Sequence, residues 1–455
     1  MSWRVELSMT LRLAIPIVLT QLAWVAMMVT DTAMIGRLGA DALAGASLSM
    51  MTFFLAWVFC FGVVMATAAV AAQAFGARKP RIVRRVVRQG LCVTIILTAP
   101  IVVIFSFTPN MLAFIGQPAE ALPHAASYMD TLKWSLPPAI AFAVLRNFIS
   151  ALNRPMPAMW VMLAGVPLNA VLDYALIFGN LGLPRLELTG AEIATSAVNL
   201  AMFLTLLAIV MLQRRFARYA VLGRFWRPDW TQFRAIFRIG LPIAGTSFLE
   251  AGFFIGSIFF IGQFGSLALA ATMIAMQLPH ISFMVPTMGL SQAATVRVGQ
   301  AVGRRDVAGA YRAGWMALAI SLGFMSSMTV VVLSVPQAFA SIFFDSARTD
   351  SADVVALAVS YLFFATFFQA GDGIQAVAAG ALRGLNDTAV PMVIAAVCYW
   401  GIGLGSELWL GFVMGMEGGG LWVGFVLGLT SAAIVLSHRF KRLDTRRYIP
   451  SVPSE

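Results

Sequence analysis

The chain has 455 residues, of which 60% are hydrophobic and only 11% charged, and its formal net charge is +11. Soluble domains carry about 25% charged residues, so this composition excludes a water-soluble globular protein. Apolar runs of roughly the 20 residues that a helix needs to cross a bilayer recur from end to end. They lack the alternation of outer-membrane strands, and the sequence therefore predicts an all-α membrane protein.

Twelve membrane-spanning helices are predicted in chain order. Their approximate centres are residues 20, 60, 98, 140, 166, 203, 250, 284, 323, 367, 400 and 428. Basic residues gather after spans 2, 6, 8 and 12, so by the positive-inside rule that side and both termini are predicted to be cytoplasmic. A pI of 10.3 would also suit a nucleic-acid-binding protein. Because no soluble segment is predicted that could present a basic groove, we expect no nucleic-acid partner.

The sequence repeats itself at a separation that drifts slowly along the chain. Pro16 in LRLAIPIVLTQ corresponds to Pro242 in FRIGLPIAGTS at an offset of 226 residues. Further corresponding pairs are Gly36 with Gly262, Gly39 with Gly265, Gln73 with Gln300, Tyr128 with Tyr361, and Asn153 with Asn386. Each repeat holds six spans, an even number, so the halves are parallel and related by an axis along the membrane normal. We predict two pseudo-symmetric six-helix lobes, residues 1–220 and 221–455.

Five segments carry a specific resemblance to a known family. They are VTDTAMIGRLGADALA (29–44), AAQAFGA (71–77), PLNAVLDYALIFG (167–179), AATVRVGQAVGRRD (293–306) and QAVAAGALRGLNDT (375–388). Over nearly its whole length the chain resembles the multidrug and toxin extrusion (MATE) family, in its NorM-like bacterial branch. The resemblance implies two lobes in a V around a central cavity, in the bacterial inner membrane, with export driven by cation entry. We expect a multi-pass monomer whose partners are small organic cations or drugs and the lipid bilayer.

Two acidic residues of the second half are predicted to lie at the same depth. Placing an ionised side chain at mid-bilayer costs at least about 2.5–3.5 kcal/mol, so the presence of each acid there calls for a functional or structural explanation. Glu250 lies 12 residues beyond Arg238, and Asp372 lies 11 residues before Arg383. At about 1.5 Å per residue, both are roughly 17 Å from a cytoplasmic basic anchor. No arginine is predicted near them to neutralise either one, and we expect a cation- or proton-coupling role.

The first half is predicted to hold a second group, nearer the outer face. Asn169 and Asp173 share one helix face at a spacing of four residues, and Pro167 before them frees backbone carbonyls. Counting along the helices brings Asp31 and Thr195 to the same depth. These four residues match, one by one, the amino-terminal cation or proton site that the resemblance implies. As an alternative, Asn169 and Thr195 would only hydrogen-bond between helices.

The substrate cavity is predicted from polar and adaptable apolar side chains on the second-half helices. The candidates are Gln277, His280, Phe283, Met284 and Phe368. His280 could carry a proton, although a lone histidine in a helix is more often simply hydrogen-bonded. Glu407, in the eleventh span, departs from relatives and has no role that the sequence explains.

No enzymatic machinery is visible, because the chain lacks GxxxxGK[ST], HExxH and GxSxG motifs and any Cys/His metal cluster. We expect no cofactor and no metal beyond a sodium site. The predicted function is a secondary active multidrug exporter that couples efflux of organic cations to entry of H⁺ or Na⁺. Phe368 stands where some Na⁺-coupled relatives have a tyrosine, which favours H⁺. The alternative is a lipid-linked precursor flippase of the same superfamily, whose cavity would carry arginines or lysines instead of acids.

Overall fold

The computed structural model describes residues 3–38, 40–108, 110–111, 122–223, 225, 227, 229–282, 286–337 and 351–442, and all regular structure in these ranges is helical. In the first half the α-helices are α1 (Trp3–Ile35), α2 (Ala40–Gly76), α3 (Pro80–Phe105), α4 (Leu122–Leu132), α5 (Leu136–Ala151), α6 (Met156–Phe178), α7 (Glu187–Leu212) and α8 (Arg214–Ala217). In the second half they are α9 (Trp230–Gly262), α10 (Ser266–Ser282), α11 (Met288–Gly303), α12 (Val307–Ser334), α13 (Ser351–Gly384), α14 (Ala389–Ala396), α15 (Leu404–Leu408) and α16 (Glu417–Arg442).

Ten of the described helical segments are long and apolar enough to cross a membrane. The all-α membrane architecture is therefore confirmed. One predicted span is divided within the described residues: the fourth is α4 and α5 joined by a 3₁₀ turn at Lys133–Ser135. The eighth contains α10 and α11, and residues 283–285 between them lie outside the described residues. The total of twelve spans remains a prediction.

The repeat is visible in the backbone as well as in the sequence. Matching residues adopt left-handed conformations that non-glycine residues rarely take. The pairs and their φ angles are Arg78 (57°) with Arg305 (59°), Asn153 (58°) with Asn386 (60°), and Glu187 (51°) with Glu417 (50°). The drifting offset thus relates turns of the same geometry, which indicates that both halves use one scaffold.

The described residues pack into two compact units. The N unit consists of residues 19–244, and the C unit of residues 1–18 together with 245–455. The predicted halves, 1–220 and 221–455, follow the repeat in the chain. The units differ from those halves because the part of α1 up to Val18 packs into the C unit and the part of α9 up to Ala244 packs into the N unit, although each helix is continuous. Both boundaries lie two residues beyond the corresponding prolines, Pro16 and Pro242.

Two glycines lie at close contacts with these helix starts. In the N unit, a Cβ atom added to Gly62 would lie 2.7 Å from the Cα of Ala244. In the C unit, a Cβ atom added to Gly289 would overlap the side chain of Val18. Each unit therefore packs the start of the other half's first helix closely against its own second span, a small-residue contact typical of membrane helices.

Candidate functional sites

The N unit holds the first group of acidic residues. The Thr195 hydroxyl on α7 donates to the Ala191 carbonyl at 3.0 Å, and its oxygen lies 3.5 Å from Asp31 Oδ2 on α1. Asn169 and Asp173 on α6 are fully buried and lie within reach of the Asp31 carboxyl. The structure thus brings together all four residues that helix counting placed at one depth.

Asp31 and Asp173 form a pair of adjacent carboxyl groups. Neither forms an ion pair with a basic side chain in the described part of the chain. The polar side-chain atoms of Asn169 and Asp173 reach no partner there with standard hydrogen-bond geometry. Two neighbouring carboxylates that are shielded from water cannot both be charged without a compensating cation. The pair can therefore share a proton or bind a monovalent cation, with Asn169 and Thr195 as further oxygen donors.

Glu192 is a member of this region that sequence reasoning missed. An acid this close to a helix start is ordinarily expected only to favour the helix dipole. In the structure it lies in the second turn of α7, fully buried, and neither carboxyl oxygen has a hydrogen-bond partner among the described residues. Tyr128 lies within electrostatic range of Glu192, Asp31 and Asp173. The available signal was the spacing of Glu192 to Thr195, which puts both on one helix face.

The C unit holds the second group, joined by one amide. The Gln375 Nε2 atom donates hydrogen bonds to Glu250 Oε1 at 3.0 Å and to Asp372 Oδ1 at 3.2 Å. The Tyr399 hydroxyl, fully buried, donates to Gln375 Oε1 at 2.9 Å. Glu250 and Asp372, which were predicted to lie at the same depth, are therefore joined through the side-chain amide of Gln375. Gln375 and Tyr399 were not predicted, because polar residues in an apolar helix give no indication of which partner they reach.

One expectation about this second group was wrong. No arginine was predicted near Glu250, but the Arg383 side chain lies within electrostatic range of its carboxyl. Arg383 also donates to the Ala379 carbonyl at 3.3 Å and to the Ser291 hydroxyl at 3.2 Å. The long side chain reaches back along α13 from its anchor, so a count of residues underestimated its range.

The predicted cavity residues lie in different environments. Phe368 is buried at 1% exposure and packs edge-on against Phe254, Trp422 and Phe425, with centroids 5.5–6.1 Å away. Gln277 on α10 is exposed. His280 lies in α10 but its side chain is outside the described part, as are Phe283 and Met284 entirely.

Comparisons with known proteins give the family. The model of the MatE family matches residues 16–175 and again residues 242–408, starting at the two corresponding prolines. A probable multidrug resistance protein NorM of Mesorhizobium japonicum is 43% identical over 444 residues, covering 97% of this chain and 95% of that protein. A second probable multidrug resistance protein NorM, from Rhodopseudomonas palustris, is 43% identical over 442 residues, covering 97% of this chain and 93% of that protein.

A solved structure has the same fold. The crystal structure of the eukaryotic MATE transporter AtDTX14 superposes with a TM-score of 0.87 at 19% identity, and 98% of each chain is covered. The double match of the family model repeats the internal duplication of the sequence, and the bacterial relatives align from end to end. The chain therefore belongs to the multidrug and toxin extrusion (MATE) family, in its NorM-like bacterial branch.

Proposed function

We propose that this protein is a secondary active multidrug exporter that couples the efflux of organic cations to the entry of H⁺ or Na⁺. The observation that carries the proposal is the Asp31–Asp173 carboxyl pair, buried without an ion-pair partner among the described residues. Such a pair binds a cation or a proton more favourably than it holds two charges. The bacterial relatives' name, multidrug resistance protein NorM, supports drugs as the exported class.

Six residues carry the coupling in this proposal. Asp31, Asn169, Asp173 and Thr195 bind the ion in the N unit, and Glu250 and Asp372 bind it in the C unit. Occupation of either group biases the protein between two conformations that expose the substrate site to opposite sides of the membrane. A ligand shifts such an equilibrium only through its different affinity for the two states, so ion and drug must act on the same two-state element.

The coupling ion is H⁺ in this proposal. Sodium requires several oxygen ligands, whereas Phe368, four residues before Asp372, supplies none and is buried in an aromatic cluster. A carboxyl in a low-dielectric site holds a proton readily. Acids in the membrane helices also suit organic cations by charge complementarity, and this favours drug export over the flippase alternative. Gln277, His280, Phe283 and Met284 remain proposed substrate contacts in a monomeric inner-membrane protein with cytoplasmic termini, whereas Phe368 packs into the aromatic cluster instead.

The first prediction tests antiport directly. Proteoliposomes containing the full chain are loaded so that either H⁺ or Na⁺ is more concentrated inside than outside, because outward flow of the coupling ion would drive ethidium inward. Each ion is imposed alone, and an ionophore that collapses the gradient should stop uptake. With the H⁺ gradient we expect uptake and with the Na⁺ gradient none. If neither gradient gives uptake above empty liposomes, antiport is wrong.

The second prediction concerns Asp372. Asp372→Asn keeps the size of the side chain but removes the exchangeable proton, so gradient-driven ethidium uptake should fall to the level of empty liposomes. Asp353→Asn is the matched control, because Asp353 is an exposed acid in the first turn of the same helix, α13. Unchanged uptake by the Asp372→Asn variant would remove this residue from the coupling machinery.

A further inference from the structure

We infer that Glu407 and Ser257 form a further proton-binding site in the C unit, equivalent by the internal repeat to the Asp31–Asp173 pair of the N unit. This inference concerns the binding of a proton and does not depend on the proposed transport reaction. It assigns a role to the acid of the eleventh span that the sequence left unexplained.

Glu407 lies in a specialised stretch of helix. The α-helical turn α15 is flanked by π-helical turns at Val397–Gly403 and Trp409–Val413, and π-helical insertions often occur at functional sites. The Glu407 side chain has no exposed surface. Gly424 on α16 packs directly against it, since a Cβ atom there would lie 2.6 Å from the Glu407 backbone nitrogen. The carboxyl is therefore enclosed by α16 and its own helix.

The hydrogen bonds of Ser257 suit a protonated partner. Its Oγ atom lies 2.8 Å from the Phe253 carbonyl oxygen and 2.8 Å from Glu407 Oε1. A serine hydroxyl has one hydrogen and can donate only once at a time. If Ser257 donates to the Phe253 carbonyl, Glu407 must be a neutral acid that donates to Ser257. If Glu407 is ionised, Ser257 must turn to the carboxylate and leave Phe253.

The second carboxyl oxygen strengthens this assignment. Glu407 Oε2 is buried and has no hydrogen-bond partner among the described residues. A carboxylate there would hold its charge with one hydroxyl donor, which is far fewer hydrogen bonds than it forms in water. In the protonated form Oε2 needs no hydrogen-bond donor. The acid hydrogen of Glu407 is donated to Ser257, and the hydroxyl hydrogen of Ser257 is donated to the Phe253 carbonyl.

By the internal repeat, Ser257 and Glu407 correspond to the first-half acids Asp31 and Asp173. Gly190 on α7 packs against the Leu176 carbonyl group, and Gly420 on α16 packs against the Leu410 carbonyl group, with a Cβ atom 2.6 Å from the carbonyl carbon in each case. The contact fixes an offset of 234 residues between α6 and the α15 segment, which relates Asp173 to Glu407. The offset of 226 between α1 and α9 relates Asp31 to Ser257.

The equivalence extends to the contact itself. In the N unit the side chain on the first helix meets the carboxyl on the fifth span, and in the C unit Ser257 on α9 meets Glu407 on the eleventh. One carboxyl of the pair has been replaced by a hydroxyl. The remaining acid therefore favours its protonated form through burial alone, without the repulsion from a second carboxylate that favours protonation of the N-unit pair.

No other described charge acts on Glu407. The titratable groups on the elements around it are Arg234, Arg238 and Glu250 on α9, Cys398 and Tyr399 in the preceding π-helical turn, and Glu417, His438, Arg439, Lys441 and Arg442 on α16. Among the described residues, only the side chain of Ser257 interacts with the carboxyl. Proton binding at Glu407 should therefore be independent of the Glu250–Asp372 group.

Infrared spectroscopy of the reconstituted full chain tests the inference, because the C=O stretch of a carboxylic acid is separate from that of a carboxylate. The wild type should show a protonated buried carboxyl, and Glu407→Gln should lose that component. Ser257→Ala should keep it but shift it to higher frequency, because the acid loses its hydrogen-bond acceptor. Ser406→Ala, which changes a hydroxyl on the neighbouring residue, should match the wild type.

The two variants decide the question separately. A Glu407→Gln spectrum that superimposes on the wild type at every pH overturns the inference, and so does an unshifted band in Ser257→Ala. If Glu407→Gln does not fold, the Ser257→Ala shift still decides, since that variant keeps the carboxyl. None of these spectra requires drug transport, so a failure of antiport leaves the result unaffected.

Discussion

At the scale of single residues, the clearest stabilising contact is a buried ion pair. Arg297 on α11 donates to both carboxyl oxygens of Glu6 on α1 at 2.8 Å, and both side chains are 2% exposed. Glu6 belongs to the segment 1–18 that packs into the C unit. Because the pair is cut off from water, each charge depends on the other for its compensation, and the pair fastens the start of the chain to that unit.

Removal of one partner should be far more harmful than removal of both. Arg297→Met or Glu6→Leu alone should lower the free energy of unfolding by about 3–5 kcal/mol, because an unpaired charge stays buried. The double variant should recover most of that loss, as judged by thermal unfolding in detergent. The exposed pair Arg185–Glu187 is the control, and Arg185→Met should change stability by less than about 1 kcal/mol. Equal losses in the single and double variants would contradict this account.

The sequence predicted some site residues and not others for a physical reason. Depth along a helix follows from the rise per residue, so Asp31, Asp173, Glu250 and Asp372 could be assigned to their levels by counting. Which helix faces which is a property of packing. The bridging role of Gln375 and the burial of Glu192 depend on contacts between helices, and no periodicity within one helix indicates them.

At the scale of secondary-structure elements, glycines set how closely the helices approach. Gly190 on α7 and Gly420 on α16 each lie against a carbonyl group of the preceding span. Both sit three residues after a glutamate with a positive φ that opens the helix. Nothing in the sequence distinguishes these two glycines from other helix residues, because their role depends on the backbone that packs against them. The 3₁₀ turn within span four was likewise hidden, since hydropathy reports apolar length and not continuity.

Gly420→Ala should destabilise the C unit. Its new Cβ atom would lie 2.6 Å from the Leu410 carbonyl carbon and 2.7 Å from the Gly411 nitrogen. These are backbone atoms, which cannot avoid the overlap by changing a side-chain rotamer. A loss of about 1–3 kcal/mol is expected for such overpacking. Gly419→Ala is the matched control, because no atom lies within 4 Å of its Cβ position. Thermal unfolding of the two variants, measured side by side, should separate them; indistinguishable midpoints would refute the contact.

At the scale of the whole molecule, the division of α1 and α9 is the main departure from a simple pair of halves. The two helices divide at corresponding residues, Val18 and Ala244. Sequence comparison found the repeat but could not show that each unit takes the start of the other half's first helix. The close contacts of Gly62 and Gly289, which lie in the second span of each half, are part of that exchange.

The two glycine contacts should respond differently to a compensating change. At Gly289 the nearest atom is a Val18 side-chain carbon, whereas at Gly62 it is the backbone Cα of Ala244. Gly289→Ala should therefore lower stability by about 1–3 kcal/mol and be partly rescued by Val18→Ala. Gly62→Ala should be at least as harmful, with no side chain whose truncation restores it. Gly256→Ala is the control, because no atom lies within 4 Å of its Cβ position. If Val18→Ala restores none of the stability lost in Gly289→Ala, the contact between Gly289 and Val18 is refuted.

The exchanged helix starts also bear on how the protein was assembled. A single ancestral half, translated as its own chain, would leave an empty place beside its second-span glycine. A second copy could fill that place with its own first-helix start and receive the same in return, as in a domain-swapped dimer. Fusion of the two genes would turn this reciprocal exchange between chains into one within a chain. Once fused, neither half could be deleted or replaced without leaving the other's packing incomplete.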